Sequence, residues 1–258
     1  MTEDQAALKA GAKRALVCLD LTNLEDDCDE TAIDRLAVSA VTDFGAVAAV
    51  CVWPRFVEQA HRLLGHRGVL IATVVNFPSG DDDAGVVADL TEQAVADGAD
   101  EIDMVIPYRA LLEGHEESVI ARVKRVRRAA GSRTRVKAIL EAGVLGKVEL
   151  IQRAASLAIE GGADFIKTST GKAPVNATLR AARAMLEVIR DGDDDCGFKA
   201  AGGVKTTQDA LNYLELADEI MGEGWAKPGT FRIGASGLLD ALLATLRGER
   251  EAGPGDGY

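Results

Sequence analysis

Aromatic side chains are scarce in this 258-residue chain, at 4% of residues, while hydrophobic residues make up 47%. An aromatic-rich sandwich core is therefore disfavoured. An interior of Ala, Val, Leu and Ile suits a parallel sheet wrapped by helices. Cysteine is also sparse. Cys18, Cys28, Cys51 and Cys196 include no CxxC pair, so they read as free thiols of a reducing, cytoplasmic compartment. The three histidines are His61, His66 and His115. His61 and His66 do not share a helix face, which argues against a His-rich zinc site. Basic residues are in deficit, 29 against 41 acidic, for a net charge of −12. A field of that sign repels nucleic acid and anionic membranes, and it obliges an anionic substrate to find a local cation or a cluster of backbone N–H groups. The longest apolar run, Phe44 to Trp53, is about half of the roughly 20 residues that a membrane span requires. Met1 to Ala10 has no signal-peptide core. No linker rich in Pro, Gly or Ser interrupts residues 11–247, so one domain is expected. The Gly-rich stretch Gly248–Tyr258 reads as a flexible tail.

What is present is an alternation. Short β-branched runs predict strands at Ala15–Leu19, Val47–Val52, Leu70–Val75, Glu101–Ile106, Arg135–Leu140, Asp164–Lys167, Gly197–Ala200 and Thr230–Ile233. Helical patterns follow at Thr31–Asp43, Pro54–Leu64, Asp81–Asp97, Glu116–Ala130, Lys147–Glu160, Thr178–Arg190, Thr207–Ala217 and Ser236–Leu246. Strands alternating with helices imply parallel pairing. Eight such units at this length point to a single (β/α)8 TIM barrel with a short N-terminal extension, the alternative being a doubly wound open sheet.

Lys167 ends the apolar segment Phe165-Ile166-Lys167, where a barrel places its catalytic groups. A charged Lys there is costly if buried. It either snorkels or pairs with a carboxylate, or it is a neutral amine poised to attack a carbonyl. Lys199, in Gly197-Phe198-Lys199, occupies the equivalent place on the next strand, and adjacent strands are about 4.8 Å apart. If both side chains point inward, one must have a lowered pKa; the alternative is that one faces a helix. Asp103 is a carboxylate within the apolar strand, readable as a structural ion-pair partner or as a group that relays protons. Asp20 is a further inward carboxylate.

Three glycine-bearing turns follow the last three strands: Ser169-Thr170-Gly171-Lys172, Gly202-Gly203-Val204-Lys205 and Gly234-Ala235-Ser236-Gly237. Each alone is an ordinary tight turn. Together, on neighbouring strands and with the last two immediately before helices, they suit a phosphate. Gly171-Lys172 lacks the upstream Gly of a P-loop, and no GxGxxG fingerprint occurs. Cys51, near the end of the second strand, is either an inert buried thiol or one open to reactive aldehydes.

These segments, with Asp20-Leu21-Thr22, Cys51-Val52-Trp53-Pro54-Arg55-Phe56, Asn76-Phe77-Pro78, Pro107-Tyr108-Arg109-Ala110-Leu111 and Arg232-Ile233-Gly234-Ala235-Ser236, resemble the deoxyribose-phosphate aldolase family over nearly the whole chain. The resemblance implies a class I aldolase that reversibly cleaves 2-deoxy-D-ribose 5-phosphate to acetaldehyde and D-glyceraldehyde 3-phosphate without metal or cofactor. It implies that Lys167 forms the imine, that Lys199 depresses the Lys167 pKa, and that Asp103 works with Lys199 in proton transfer. Gly171, Lys172, Gly202, Gly203, Gly234 and Ser236 would hold the phosphate, with Thr170 and Asp20 also on the substrate side. Tyr258 matches a C-terminal Tyr that assists proton transfer; the alternative is a solvated chain end. Two positions depart from the family pattern: Ala200 stands where Pro is frequent, and Gly237 where a second Ser is frequent. The implied partners are a phosphorylated sugar and aldehydes, with a homo-oligomer possible. Other readings are a transaldolase-like Schiff-base enzyme and a non-catalytic phosphosugar-binding barrel.

Overall fold

The computed structural model describes residues 3–192 and 195–250. Eight parallel strands close into a barrel. They are β1 (Leu19–Asn23), β2 (Ala49–Val52), β3 (Leu70–Val75), β4 (Glu101–Val105), β5 (Arg135–Ile139), β6 (Phe165–Lys167), β7 (Gly197–Ala201) and β8 (Phe231–Ala235). Each pairs with its neighbours in chain order, and β1 closes on β8 with Asp20 opposite Gly234. The open-sheet alternative is thereby removed.

Four of the helices between strands, Glu30–Ser39, Ala84–Ala96, Leu179–Asp191 and Thr207–Met221, begin at a capping side chain. Asp29, Asp83 and Thr178 each accept from backbone N–H groups of the following turn, and Thr206 with Asp209 forms a reciprocal capping box. Glu116–Ala130 and Val148–Glu160, which lack a side-chain cap, are held by their apolar stripes: Val119, Val123 and Val126 on the first, and Ile151, Ala155 and Ala158 on the second, are buried against the outer face of the barrel.

The first predicted strand is shifted. Ala15–Val17 ends a helix, Glu3–Val17, and the strand begins at Leu19. Ala12, Ala15 and Leu16 are wholly buried at helical spacing, so in this Ala-rich segment the 3.6 period wins over the short apolar run. This extension packs on the helices Thr207–Met221 and Leu238–Arg247, and Arg14 forms a two-pronged ion pair with Asp218 at 2.8 and 2.9 Å. The predicted helix Thr31–Asp43 stops at Ser39. Its last residues enter a small hairpin, Val41–Thr42 with Gly45–Ala46, closed by the Thr42 hydroxyl on Gly45 O at 2.7 Å. β8 runs two residues beyond its predicted end. Gly234 therefore lies inside the barrel wall, not in the following loop.

Parallel register sends paired residues to the same side, so the interior can be followed around the barrel. On β2 and β3 it is small and apolar, with Ala49, Cys51, Ala72 and Val74 in one cluster. On the other side it is charged. Phe165 faces Gly197 across a strand pair, where any side chain at 197 would strike the ring.

Candidate active site

Three wholly buried carboxylates, Asp20, Glu101 and Asp103, share the barrel interior with four basic side chains, Lys137, Lys167, Lys199 and Arg232. Asp103 and Lys137 are paired positions on β4 and β5, and Lys167 and Lys199 on β6 and β7. Lys167 pairs with Ile139, two residues beyond Lys137, so the two pairs come from successive levels of the barrel and meet at the Asp103 carboxylate. Asp103 is the hub. Its Oδ1 accepts from Lys137 Nζ at 2.9 Å, and its Oδ2 accepts from Lys167 Nζ at 2.8 Å and Lys199 Nζ at 2.7 Å. Lys199 also meets Asp20 Oδ2 at 2.5 Å. Below, Arg232 donates to Asp20 Oδ1 at 2.6 Å and to both oxygens of Glu101 at 3.0 and 2.7 Å. Lys137 Nζ closes the lattice on Glu101 at 2.5 Å.

Burial and charge act oppositely on these groups. Burial alone would raise the Asp103 carboxyl, but Lys137, Lys167 and Lys199 hold it well below the usual carboxylate range. Asp20 is driven down likewise, chiefly by Lys199 and Arg232. Burial would depress Lys199, yet Asp103 and Asp20 push it above the ordinary lysine value. Lys137 is raised in the same way, against its own burial, by Asp103 and Glu101. Lys167 differs. Its burial, aided by the charge of Lys199, outweighs the pull of Asp103, and its pKa is lowered. Charge counting agrees: with Lys167 neutral, three buried cations face three buried carboxylates. Lys167 is also the member of this set that reaches the cleft, which is about 360 Å3 in volume. The site therefore places an amine of lowered pKa next to an ammonium held charged and an ionised carboxylate.

The rim of the cleft brings together the three glycine turns. Thr170, Gly171 and Lys172 follow β6, Gly202 and Gly203 follow β7, and Gly234, Ser236 and Gly237 belong to the end of β8 and its loop. Gly202 has φ +84, and a Cβ there would strike Asn176. Gly234 serves a different need. A Cβ on it would lie 2.9 Å from Lys199 Cε, so its bareness gives Lys199 passage through the barrel. Lys172 Nζ lies 3.6 Å from Glu25, an exposed carboxylate of the loop after β1.

Two sequence expectations are relocated. Asp20 does not line the cleft; it lies wholly buried beneath it in the ion network. Tyr258 and most of the expected tail lie outside the described residues. Cys51 faces the interior, and burial raises its thiol pKa. The sequence reading also passed over Lys137, Glu101, Arg232 and Glu141. Glu101 and Asp103, and likewise Arg135 and Lys137, are ionisable residues spaced by two within otherwise apolar strands, a signal that one face of each strand is charged. Arg232 is a single ionisable residue within the otherwise apolar strand Phe231–Ala235.

Comparison with known proteins agrees with this geometry. Residues 14–243 match the model of the DeoC/LacD family aldolases. The deoxyribose-phosphate aldolase of Agrobacterium fabrum (strain C58) is 51% identical over 259 residues, covering all of both chains. A Toxoplasma gondii ME49 structure assigned to the deoxyribose-phosphate aldolases superposes with a TM-score of 0.87 at 24% identity, covering 96% of this chain and 98% of that one. The tetrameric deoxyribose phosphate aldolase of Aeropyrum pernix superposes with a TM-score of 0.74 at 21% identity, covering 95% and 97%. At these identities the two structures speak to fold.

Proposed function

The chain belongs to the DeoC/LacD aldolase family, and we propose that its reaction is the reversible Schiff-base cleavage of 2-deoxy-D-ribose 5-phosphate to acetaldehyde and D-glyceraldehyde 3-phosphate. The observation that carries this reading is the placement of Lys167 at the floor of the cleft, sharing one oxygen of Asp103 with Lys199, and its burial there pushes its pKa down.

The neutral Lys167 amine attacks the C1 aldehyde of the open-chain sugar to give a carbinolamine. Loss of water yields the protonated imine, an electron sink. The C3 hydroxyl gives its proton to a base, the C2–C3 bond breaks, and its electron pair moves into the imine to form an enamine. C3 leaves as the aldehyde of glyceraldehyde 3-phosphate. Protonation of the enamine carbon and hydrolysis then release acetaldehyde and restore Lys167. Asp103 and Lys199, both held in their charged forms, act in these transfers by orienting a water between them, and the water carries the protons. Tyr258 is proposed to assist them. The reaction is balanced in protons and electrons without metal or redox cofactor.

The phosphate is assigned to the rim: Thr170, Gly171 and Lys172, with Gly202, Gly203, Gly234 and Ser236. Lys172 supplies the cation and the glycine backbones permit close approach. This answers the problem posed by a net charge of −12. Asp20 is proposed to act from below, by holding Lys199 charged. The proposed setting is a cytoplasmic enzyme with one barrel domain that assembles with copies of itself and has no nucleic acid or membrane partner. Among the described residues, no helix is long and apolar enough to cross a membrane. Incubation with 2-deoxyribose 5-phosphate tests the reading: acetaldehyde and glyceraldehyde 3-phosphate must form in equal amounts, and transfer of a three-carbon unit between sugars instead would point to a transaldolase.

A further inference from the structure

Glu141 has no part in the reaction as written, yet its conformation and surroundings are unusual. It stands between β5 and the short helix Ala142–Leu145 with φ 53° and ψ 53°, a left-handed geometry that residues with a Cβ rarely adopt. Asn76 is the other non-glycine residue with positive φ among the described residues. The Glu141 side chain is almost wholly buried, and its hydrogen bonds go to one residue of the cleft. Its Oε2 accepts from the Thr170 hydroxyl at 2.5 Å, and both its oxygens lie 3.4 Å from the Thr170 backbone N–H. The Thr170 hydroxyl, its proton committed to Glu141, in turn accepts from the Lys172 N–H at 3.1 Å.

A chain of hydrogen bonds thus runs from Lys172 through Thr170 to Glu141 and ties the turn to the end of β5. The backbone fastens the same two elements: Leu140 N–H donates to Lys167 O at 2.9 Å, and Ala142 N–H to Thr168 O at 2.8 Å. Beyond Thr170 the tip of the turn is open, with Lys172 Nζ reaching only to the exposed Glu25 at 3.6 Å. Gly171 has φ +87, and no atom lies within 4 Å of where its Cβ would be. The shape of its exposed tip is set from below.

We propose that Glu141 is the positioning residue of the phosphate turn: through Thr170 it holds Gly171 and Lys172 where the substrate phosphate is received. This rests on the assignment of that turn to phosphate. Glutamine at 141 keeps an oxygen acceptor of the same reach, whereas alanine removes it.

The test is the kinetics of the full chain, its Glu141→Gln variant and its Glu141→Ala variant on 2-deoxyribose 5-phosphate and on unphosphorylated 2-deoxyribose. With Glu141→Ala, KM for the phosphorylated sugar rises about tenfold, as for loss of one charge-assisted contact. The kcat/KM for the free sugar stays within about threefold, and Glu141→Gln restores the phosphorylated KM to within about threefold of the parent. Equal losses on both sugars overturn the proposal, as does a Gln variant as impaired as Ala. Should Glu141→Ala fail to fold, Glu141→Asp, which keeps the carboxylate but shortens its reach to Thr170, must give the same phosphate-selective rise; an equal effect on both sugars overturns the proposal there too. A parent protein with the same KM for both sugars removes the phosphate assignment itself. A parent that favours the phosphorylated sugar, with Glu141→Ala unchanged, removes this proposal alone.

Discussion

Lys167 and Lys199, paired across β6 and β7, donate to the same carboxylate oxygen of Asp103, at 2.8 and 2.7 Å. Their fates nonetheless differ, because Lys199 has a second carboxylate, Asp20 at 2.5 Å, whereas among the described residues Lys167 forms an ion pair with Asp103 alone. That asymmetry makes one lysine a fixed cation and leaves the other free to be a nucleophile. Asp20, which never reaches the cleft, is what separates the two roles.

Replacing Lys199 by Met should therefore impair both the site and the fold. Asp20 and Asp103 each lose a buried cation, at a cost of about 3–5 kcal/mol of stability, read by denaturant unfolding. Activity should fall on the order of 10²-fold or more. The pH profile gives the finer test. Only the neutral Lys167 amine attacks, so kcat/KM rises with pH, with a midpoint below the ordinary lysine value of about 10.4. Without the charge of Lys199 that midpoint should move to higher pH. An unmoved midpoint would show that burial alone tunes Lys167.

The buried carboxylates set the acid limit of the fold. Asp20, Glu101 and Asp103 all have pKa values below their unfolded values. Their stabilisation is thus complete above about pH 4–5 and is lost as pH falls through the folded-state values. Lys199, raised, contributes fully below about pH 10 and loses its contribution above that. Lys167, lowered, has the opposite sign: the folded state gains stability as pH rises past its folded-state pKa. Thermal unfolding should change little between about pH 5 and 8 and Tm should drop steeply below about 4. A steep drop already between pH 7 and 5 would contradict the pairing described.

Gly234→Ala adds one carbon 2.9 Å from Lys199 Cε and 3.2 Å from Ala201 Cβ. Lys199 is wholly buried, and the added carbon displaces its end from Asp103. Activity should drop at least roughly tenfold while the fold persists, because overpacking by one methyl costs about 1–3 kcal/mol. Circular dichroism and steady-state rates check both halves.

Gly237 offers a gain. A Cβ there meets nothing within 4 Å, and its φ of −98° suits any residue. Gly237→Ser places a hydroxyl donor at the helix start beside Ser236. KM for the phosphorylated sugar should fall about two- to tenfold, the value of one hydrogen bond, with the free sugar unaffected.

Much of this was legible in the sequence. Leu70–Val75 and Glu116–Ala130 are the strand and helix that their patterns predict. Lys167, Lys199 and Asp103 stood out because an ionisable group inside an apolar strand needs a reason. The first strand was misplaced because Ala15-Leu16-Val17 is apolar under either period, and only packing against Thr207–Met221 and Leu238–Arg247 decides for helix. Asp20 looked like a cleft residue because its burial depends on Arg232 and Lys199, which β8 and β7 bring from more than 170 positions away. Gly234 read as a loop glycine because the length of β8 follows from pairing with β1. Glu141 was invisible, since its left-handed backbone and its hold on Thr170 have no local signature.

The central claim is that Lys167 forms the covalent intermediate. Borohydride reduction in the presence of acetaldehyde, followed by peptide mass mapping, tests it most directly. The account predicts one reduced two-carbon adduct, on the peptide containing Lys167, and no adduct at the active site of Lys167→Leu. An adduct on Lys199 or Lys137, or none in a protein that still cleaves the sugar phosphate, would contradict it.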